Sequence, residues 1–355
     1  MARVVTAGLG DILHNPPQEQ AKVDVVFVHG LHGDRVGTWT YKEQDNDPDP
    51  IFWPRDLLPD VCPNARVLSF GYNARVAEFI YSGSEKPPVP PRTGIDDHSI
   101  ALLDSLQNLR AETQTACPHF IQVLGGLVCA NAIGQQHGEG ASKKSIVDKV
   151  RGIIFLGTPF AGAKKATLAL LVTQFLRLFT STNEKKLEDL DERSEKLFKI
   201  GDEFLKVLWA RRCGDAPIEV AFYHEELMTK RHRVSLGFIV DSASAIPRGF
   251  TGIGIQANHS GMCKFSGKEV DGFISISGHL RQWIEDLDKI ADNNEQKEAG
   301  ISIDGVELKN ISNVNGVVTG VIASTKEHGA NITGQKKITF IGASSEDAVK
   351  RALQD

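Results

Sequence analysis

The chain has 355 residues, 41% of them hydrophobic, 24% charged and 7% aromatic, and carries a formal net charge of −5. That length holds one α/β domain of about 250–300 residues with an addition, or two average domains, and the composition excludes collagen-like, coiled-coil and disulfide-scaffold classes. Its 40 basic and 45 acidic residues are interspersed, so there is no basic stripe and no nucleic-acid partner is expected.

The five cysteines, Cys62, Cys117, Cys129, Cys213 and Cys263, contain no CxxC pair. Such a set fits reduced thiols in a cytoplasmic compartment and implies neither a metal site nor a cofactor. Met1 to Gly10 has too brief an apolar stretch for a secretion signal. The longest apolar stretch, Ala166 to Phe179, is interrupted by Gln174 and Arg177 and falls short of the roughly 18 residues that cross a bilayer. It reads as a buried or surface-lying helix, and no transmembrane segment is expected.

In chain order, Val23 to Val28 (VDVVFV) is a β-branched run closed by His29-Gly30, the pattern of a buried parallel strand. Arg66 to Phe70, His119 to Val123, Val150 to Phe155, Ile218 to Phe222 and Leu236 to Val240 have the same look. Helical patterns intervene, notably Ser99 to Glu112 with Ile100, Leu102, Leu103, Leu106 and Leu109 on one side. This alternation predicts an α/β fold, a mostly parallel sheet flanked by helices. Leu187 to Leu208 reads as a charged helical insertion of the kind that covers a site, and Gly278 to Ile290 as a closing helix. The expected domain therefore spans residues 1–290. Residues 291–300 (ADNNEQKEAG), polar apart from alanine, read as a linker, and 301–355, which lacks proline, cysteine, tryptophan and tyrosine, as a β-prone tail.

Five segments resemble the fungal SesB-like lipase/esterase group of α/β-hydrolases: VDVVFVHGLHGDRVGTWT from Val23, Phe52-Trp-Pro-Arg-Asp-Leu-Leu-Pro, Ala65-Arg-Val-Leu-Ser-Phe-Gly-Tyr, Gly152 to Pro159 and Ala257 to Phe265. The likeness covers about residues 8 to 285. It implies an α/β-hydrolase fold, an acyl-ester or lipid substrate, and a cytoplasmic effector that becomes membrane-associated when active. It further implies a role in self/non-self recognition or cell death of the heterokaryon-incompatibility type, with a NOD-like receptor as partner.

A serine hydrolase of this kind needs a nucleophile on a sharp strand-to-helix turn, a histidine base, a carboxylate that orients the histidine, and N–H donors for the oxyanion. His259 matches the histidine of the resemblance, against the alternative of a loop histidine bonded to backbone. Asp241, following the strand Leu236 to Val240, is the first candidate for the orienting acid, with a surface Asp ending a strand as the alternative reading. Glu225 and Glu226 after the preceding strand are further candidates. The loop His29, Gly30, Leu31, His32, Gly33 offers the Leu31 N–H as oxyanion donor, although its glycines also suit a plain tight turn.

The nucleophile departs from the resemblance. Relatives read Gly or Ala, His, Ser ahead of Leu-Gly-Gly-Leu-Val, whereas this chain runs Gln122-Val123-Leu124-Gly125-Gly126-Leu127-Val128 and is two residues shorter there. Val123 takes the serine position, and the elbow Val123, Leu124, Gly125, Gly126 has no hydroxyl or thiol. Cys129 lies more than a turn into the expected helix and Cys117 before the strand. The expectation is a non-catalytic relative, a sequence that lost part of its elbow, or an elbow that recruits another group. The tail carries segments such as Gly316 to Ala323 and Ile338 to Ile341 of high β-propensity and low charge. They resemble σ-type prion-forming motifs, implying self-assembly through 301–355, with a small β appendage or a disordered end as the alternatives and a short helix over Glu346 to Gln354.

Overall fold

The structure, a computed structural model, describes residues 7–31, 33–74, 94–113, 119–123, 125–135, 141–160, 187–212, 214, 216–231, 234–298, 301–303, 306–314, 317–327, 330–332 and 336–341. Residues 1–283 and 284–355 form two compact units. In chain order the first contains β1 (Gly8–Leu9), β2 (Val23–Val28), β3 (Thr40–Tyr41), β4 (Ile51–Phe52), α1 (Trp53–Asp56), α2 (Leu58–Val61), β5 (Ala65–Gly71), α3 (Ile95–Thr113), β6 (His119–Val123), α4 (Gly126–Gly134) and α5 (Ala141–Val147). There follow β7 (Val150–Leu156), α6 (Leu187–Arg212), β8 (Glu219–Glu225), β9 (Thr229–Arg231), β10 (Val234–Gly237), α7 (Ser242–Ala245), β11 (Gly252–Ile255) and the start of α8 (Asp271–Glu298).

Seven strands form one sheet in the order β1-β5-β2-β6-β7-β8-β11. β1 is antiparallel to β5 and the other neighbours are parallel. The mostly parallel sheet flanked by helices is the one the alternation predicts, and it is the α/β-hydrolase fold that the resemblance implies. Because side chains alternate across a strand, β2 divides its residues between two cores. Val26 and Val28 join Leu102, Leu106, Ile133 and Phe204 of α3, α4 and α6. Phe27 meets Trp39 and Trp53 on the other face, at ring separations of 5.1 and 5.0 Å.

Two expectations are corrected. Leu236 to Val240 is not a sheet strand: β10 pairs antiparallel with β9 in a separate two-stranded ribbon. The place beside β8 belongs to β11, whose sequence GIGI is too short and glycine-rich to stand out as a hydrophobic run. The polar stretch from Ala291 also continues α8 as far as Glu298, because Ala, Glu, Gln and Lys are strong helix formers even without an apolar face. The expected helix over Ala166 to Phe179 lies outside the described residues.

The second unit holds an antiparallel sheet of β12 (Ile301–Ile303), β13 (Val306–Val314), β14 (Val317–Glu327), β15 (Ala330–Ile332) and β16 (Lys336–Ile341). β14 pairs β13 on one side and both β15 and β16 on the other. Asp304-Gly305 and Asn315-Gly316 separate the first three strands in sequence, the residue pairs that two-residue hairpin connections favour. Glu346 to Gln354 lies outside the described residues.

One buried ion pair ties the centre of the main sheet together. Asp24 on β2 stands opposite Arg66 on β5 in register, with Nε to Oδ1 at 2.6 Å and both side chains at most 3% exposed. Removing one partner leaves an uncompensated buried charge, so Arg66→Met should cost about 3–5 kcal/mol. Urea unfolding checks this, and Asp24→Leu added to Arg66→Met should recover much of the loss.

Candidate functional site

Parallel strands bring their carboxyl ends to one side of a sheet, where ligand sites of open α/β sheets lie. There β2 runs into His29, β6 towards Gly125, β7 into Gly157, β8 ends on Glu225, and β11 leads to His259.

His29 is buried, and its tautomer follows from its partners. The Tyr72 backbone N–H donates to Nε2 at 3.2 Å, so Nε2 is the acceptor and the proton sits on Nδ1, which donates to the Gly30 carbonyl at 2.9 Å. The imidazole stacks on Tyr72 at 4.4 Å, with 8° between the ring planes. Gly30 O also accepts the Gly33 N–H at 3.1 Å. Across a trans peptide the N–H points opposite to the C=O, so this double anchoring of Gly30 O fixes the direction of the Leu31 N–H.

The elbow is close-packed at the backbone. The Gly125 N–H donates to Val28 O at 3.0 Å, and a methyl group on Gly125 would run into the His29 carbonyl oxygen. At Gly126, the first residue of α4, a methyl would collide with the Thr158 hydroxyl. Thr158 Oγ1 is buried and has no hydrogen-bond partner among the described residues. Val123 is the last residue of β6, in register with Val28 and Phe155. Leu124 and His32 lie outside the described residues.

Gly157 has φ +56°, and a methyl there would stand 2.8 Å from Cε1 and 2.9 Å from Nδ1 of His259. The position thus demands glycine both for its left-handed backbone and for the imidazole packed on it. His259 sits in a tight turn in which Asn258 Oδ1 accepts the Gly261 N–H at 2.9 Å. The turn is pinned to the rest of the site: Cys263 Sγ donates to Thr38 O at 3.2 Å, and Trp53 Nε1 donates to Cys263 O at 2.9 Å.

Glu225 is the carboxylate at His259, with Oε1 3.6 Å from Nδ1. That is longer than a hydrogen bond, a common state of catalytic pairs without substrate. The same Oε1 accepts the N–H groups of Ile239 and Val240 at 2.6 and 2.7 Å, and Oε2, equally buried, has no hydrogen-bond partner among the described residues. Asp241 stands elsewhere: it is exposed and caps α7, its Oδ1 accepting the Ser244 N–H at 2.9 Å. The segment before it is a return loop after the β9/β10 ribbon, so Asp241 does not terminate a sheet strand. Glu226 is exposed, with its carboxylate lying against Gly254. The signal that distinguishes Glu225 is its place as last residue of the strand before the final one, legible only once GIGI is recognised as that final strand.

The cysteines among the described residues hold protonated thiols. Burial pushes Cys263 up to about 12 and Cys62 to about 11, and raises Cys129, within the α4 core, well above the ordinary thiol range. Cys117 and Cys213 lie outside the described residues.

No family model matches this chain. Protein SERAC1 of Bos taurus is 27% identical over 279 residues, covering 71% of this chain and 37% of that protein. Protein SERAC1 of Homo sapiens is 26% identical over 277 residues, with the same coverage. The chain therefore spans little more than a third of the length of these curated relatives. Among solved structures, a monoacylglycerol lipase of Paleococcus ferrophilus matches with 12% identity and TM-score 0.36, covering 76% of this chain and 96% of that one. A soluble variant of the monoglyceride lipase of Saccharomyces cerevisiae matches with 14% identity and TM-score 0.35, covering 76% of this chain and 89% of that one.

His29 also sets a pH dependence. Burial, opposed by the bond to Gly30, lowers its pKa from 6.5 to about 4. A histidine depressed in the folded state binds its proton more readily when unfolded, so stability is full above pH 6.5 and falls as pH drops towards 4. This residue should account for about 3 kcal/mol of loss by pH 4. Urea titrations at pH 7, 5.5 and 4.5 on the chain and on His29→Asn check it: the variant, less stable at pH 7, should show a flatter acid limb.

Proposed function

We propose that the first unit is a lipase/esterase-like site for an acyl ester. In this reading His259 is the base, Glu225 and not Asp241 its orienting carboxylate, and the Leu31 N–H the oxyanion donor, with no serine nucleophile at the elbow. The observation that carries the reading is the buried Glu225, anchored by two N–H groups and 3.6 Å from the imidazole of His259. A buried carboxylate is costly to keep, and one aimed at a histidine at the carboxyl end of the sheet fits acyl transfer better than a structural role. The loop His29 to Gly33 supports the oxyanion assignment, since His29 fixes the Gly30 carbonyl and with it the Leu31 N–H. Similarity to the SERAC1 proteins extends over 71% of the chain and supports a common ancestry of the domain without fixing the substrate.

The resemblance to SesB-like effectors supplies the wider setting. The chain acts in the cytoplasm in self/non-self recognition or cell-death signalling, engages a NOD-like receptor, and meets membrane when active. A fluorophosphonate serine probe, read by intact mass and peptide mapping, tests the site. The chain should stay unlabelled, whereas a variant carrying Ala-His-Ser ahead of Leu124 should be labelled at the inserted serine. Labelling of the unaltered chain would identify a different nucleophile and sink the assignment.

A second reading, in which the hydrolase fold is a non-enzymatic scaffold and residues 301–355 propagate assembly, is favoured by the tail. It contains no proline, and its sheet has β12 on one edge and β15 and β16 on the other, strand edges being templates for further pairing. Full-length protein seeded with its own sonicated assemblies should then form thioflavin-positive fibres without a lag. Ile322→Pro, which removes a donor from the central strand β14, should suppress them; protein that stays monomeric under seeding rules this reading out.

A further inference from the structure

We infer that the β9/β10 ribbon seats this chain on an anionic phospholipid bilayer, Leu227 and Met228 entering the acyl boundary and the basic run Lys230-Arg231-His232-Arg233 supplying the attraction to the lipid phosphates. The inference rests on the acyl-ester reading above and names the surface from which a lipid ester would reach that site. Single exposed apolar side chains are ordinary on a protein surface. Among the described residues, however, Leu227 and Met228 are the only two consecutive large apolar side chains so exposed, at 48% and 53%.

The pair lies at the carboxyl end of the sheet. Leu227 comes two residues after Glu225, and its N–H donates to the Ala257 carbonyl at 3.1 Å, two residues before His259. The Glu226 N–H shares that carbonyl at 3.2 Å. The far end of the excursion is held as well, since the Ile239 and Val240 N–H groups donate to Glu225. Between these anchors β9 and β10 pair with Lys230 opposite Ser235, and the ladder bulges between Ser235 and Gly237. Successive side chains of a strand face opposite ways, and directly opposed residues share a face. Thr229 is accordingly buried, whereas Met228, Lys230 and Ser235 are exposed, and the Ser235 hydroxyl lies 3.9 Å from Met228 Sδ. An apolar side chain and a cation thus stand together on the solvent face of a ribbon tied down at both ends.

Charge selects the partner. Leu227 to Gly237 holds Lys230, Arg231 and Arg233 and no Asp or Glu, in a chain whose net charge is −5. Glu226, just before this segment, turns its carboxylate to Gly254, and Asp241, just after it, accepts the Ser244 N–H. Lysines also guard strand edges against pairing, but two exposed apolar neighbours would undo such a guard. A bilayer with anionic headgroups suits both features. Each Lys or Arg near its surface contributes about a fivefold gain in affinity, and Leu and Met find there the apolar burial they lack in the folded chain. A nucleic acid would use the bases and leave the apolar pair in water.

Co-sedimentation of the full-length protein with vesicles tests the inference, using phosphatidylcholine alone and an equimolar mixture of phosphatidylcholine and phosphatidylserine. Binding should favour the anionic vesicles and weaken between about 0.1 and 1 M salt, as the Debye length shrinks from about 10 to 3 Å. Lys230→Gln, Arg231→Gln and Arg233→Gln together should lower affinity about a hundredfold. Leu227→Ser with Met228→Ser should lower it about tenfold, while Leu227→Ile with Met228→Leu should bind like the parent. Thermal melts accompany each variant. Vesicle binding unchanged in either folded loss variant overturns the inference, as does binding indifferent to headgroup charge. Affinity for polyglutamate equal to that for the anionic vesicles, and untouched by the serine pair, makes an acidic polypeptide the partner and likewise overturns it. Binding of a soluble alkyl ketone analogue of an ester without vesicle binding overturns it alone, while absence of both removes the acyl-ester reading as well.

Discussion

A carboxylate buried at the end of the strand next to the sheet's edge constrains what lies around it. Glu225 is buried, and its Oε1 accepts the N–H groups of Ile239 and Val240. For those two donors to reach it, the chain leaving β8 must make its excursion through the β9/β10 ribbon and return across the sheet end before β11 begins. That path brings β11 in beside β8 and delivers His259 over Gly157. The short helix capped by Asp241 follows the same return, which is why an acid in a promising sequence position serves the backbone instead. The histidine that faces it is held separately, its turn pinned through Cys263 to Thr38 and Trp53.

The opposite wall of the site is built from backbone rather than charge. Side chains are excluded where β2, β6 and β7 end: at Gly125 by the His29 carbonyl, at Gly126 by Thr158 and at Gly157 by His259. Such close approach makes the geometry rigid. β6 keeps its register with β2 and β7 through Val123.

Much of this was legible in the sequence because the parallel strands are continuous β-branched runs. Val23 to Val28, His119 to Val123 and Val150 to Phe155 stand out as apolar runs and pair as β2, β6 and β7, while His259 enters through the resemblance and Leu31 through its place after the first long strand. The hidden parts have a common physical cause. β11 is GIGI, and its strand character comes from pairing with β8 rather than from side-chain pattern. Leu236 to Val240 has the apolar pattern without the partner, its Ile239 and Val240 packing with Ala245 in a small cluster. Taking the second segment for the first is enough to move the proposed orienting acid from Glu225 to Asp241. The helical course of 291–298 was hidden for the opposite reason: local propensity sustains it where hydrophobic periodicity is absent.

In the proposed reading, a base and an oxyanion donor without an elbow nucleophile change what binding energy can do. In a serine hydrolase the covalent step divides one high barrier into two lower ones; with water as attacker the barrier stands whole, and only positioning, proton transfer and the oxyanion contact lower it. Those terms leave about 10³–10⁴ over the uncatalysed reaction in triads stripped of their nucleophile. Interactions that hold the acyl group equally in ground and transition states strengthen binding without adding turnover. In the proposed reading, the base and oxyanion donor that stand beside an elbow without a serine thus contribute to binding more than to turnover.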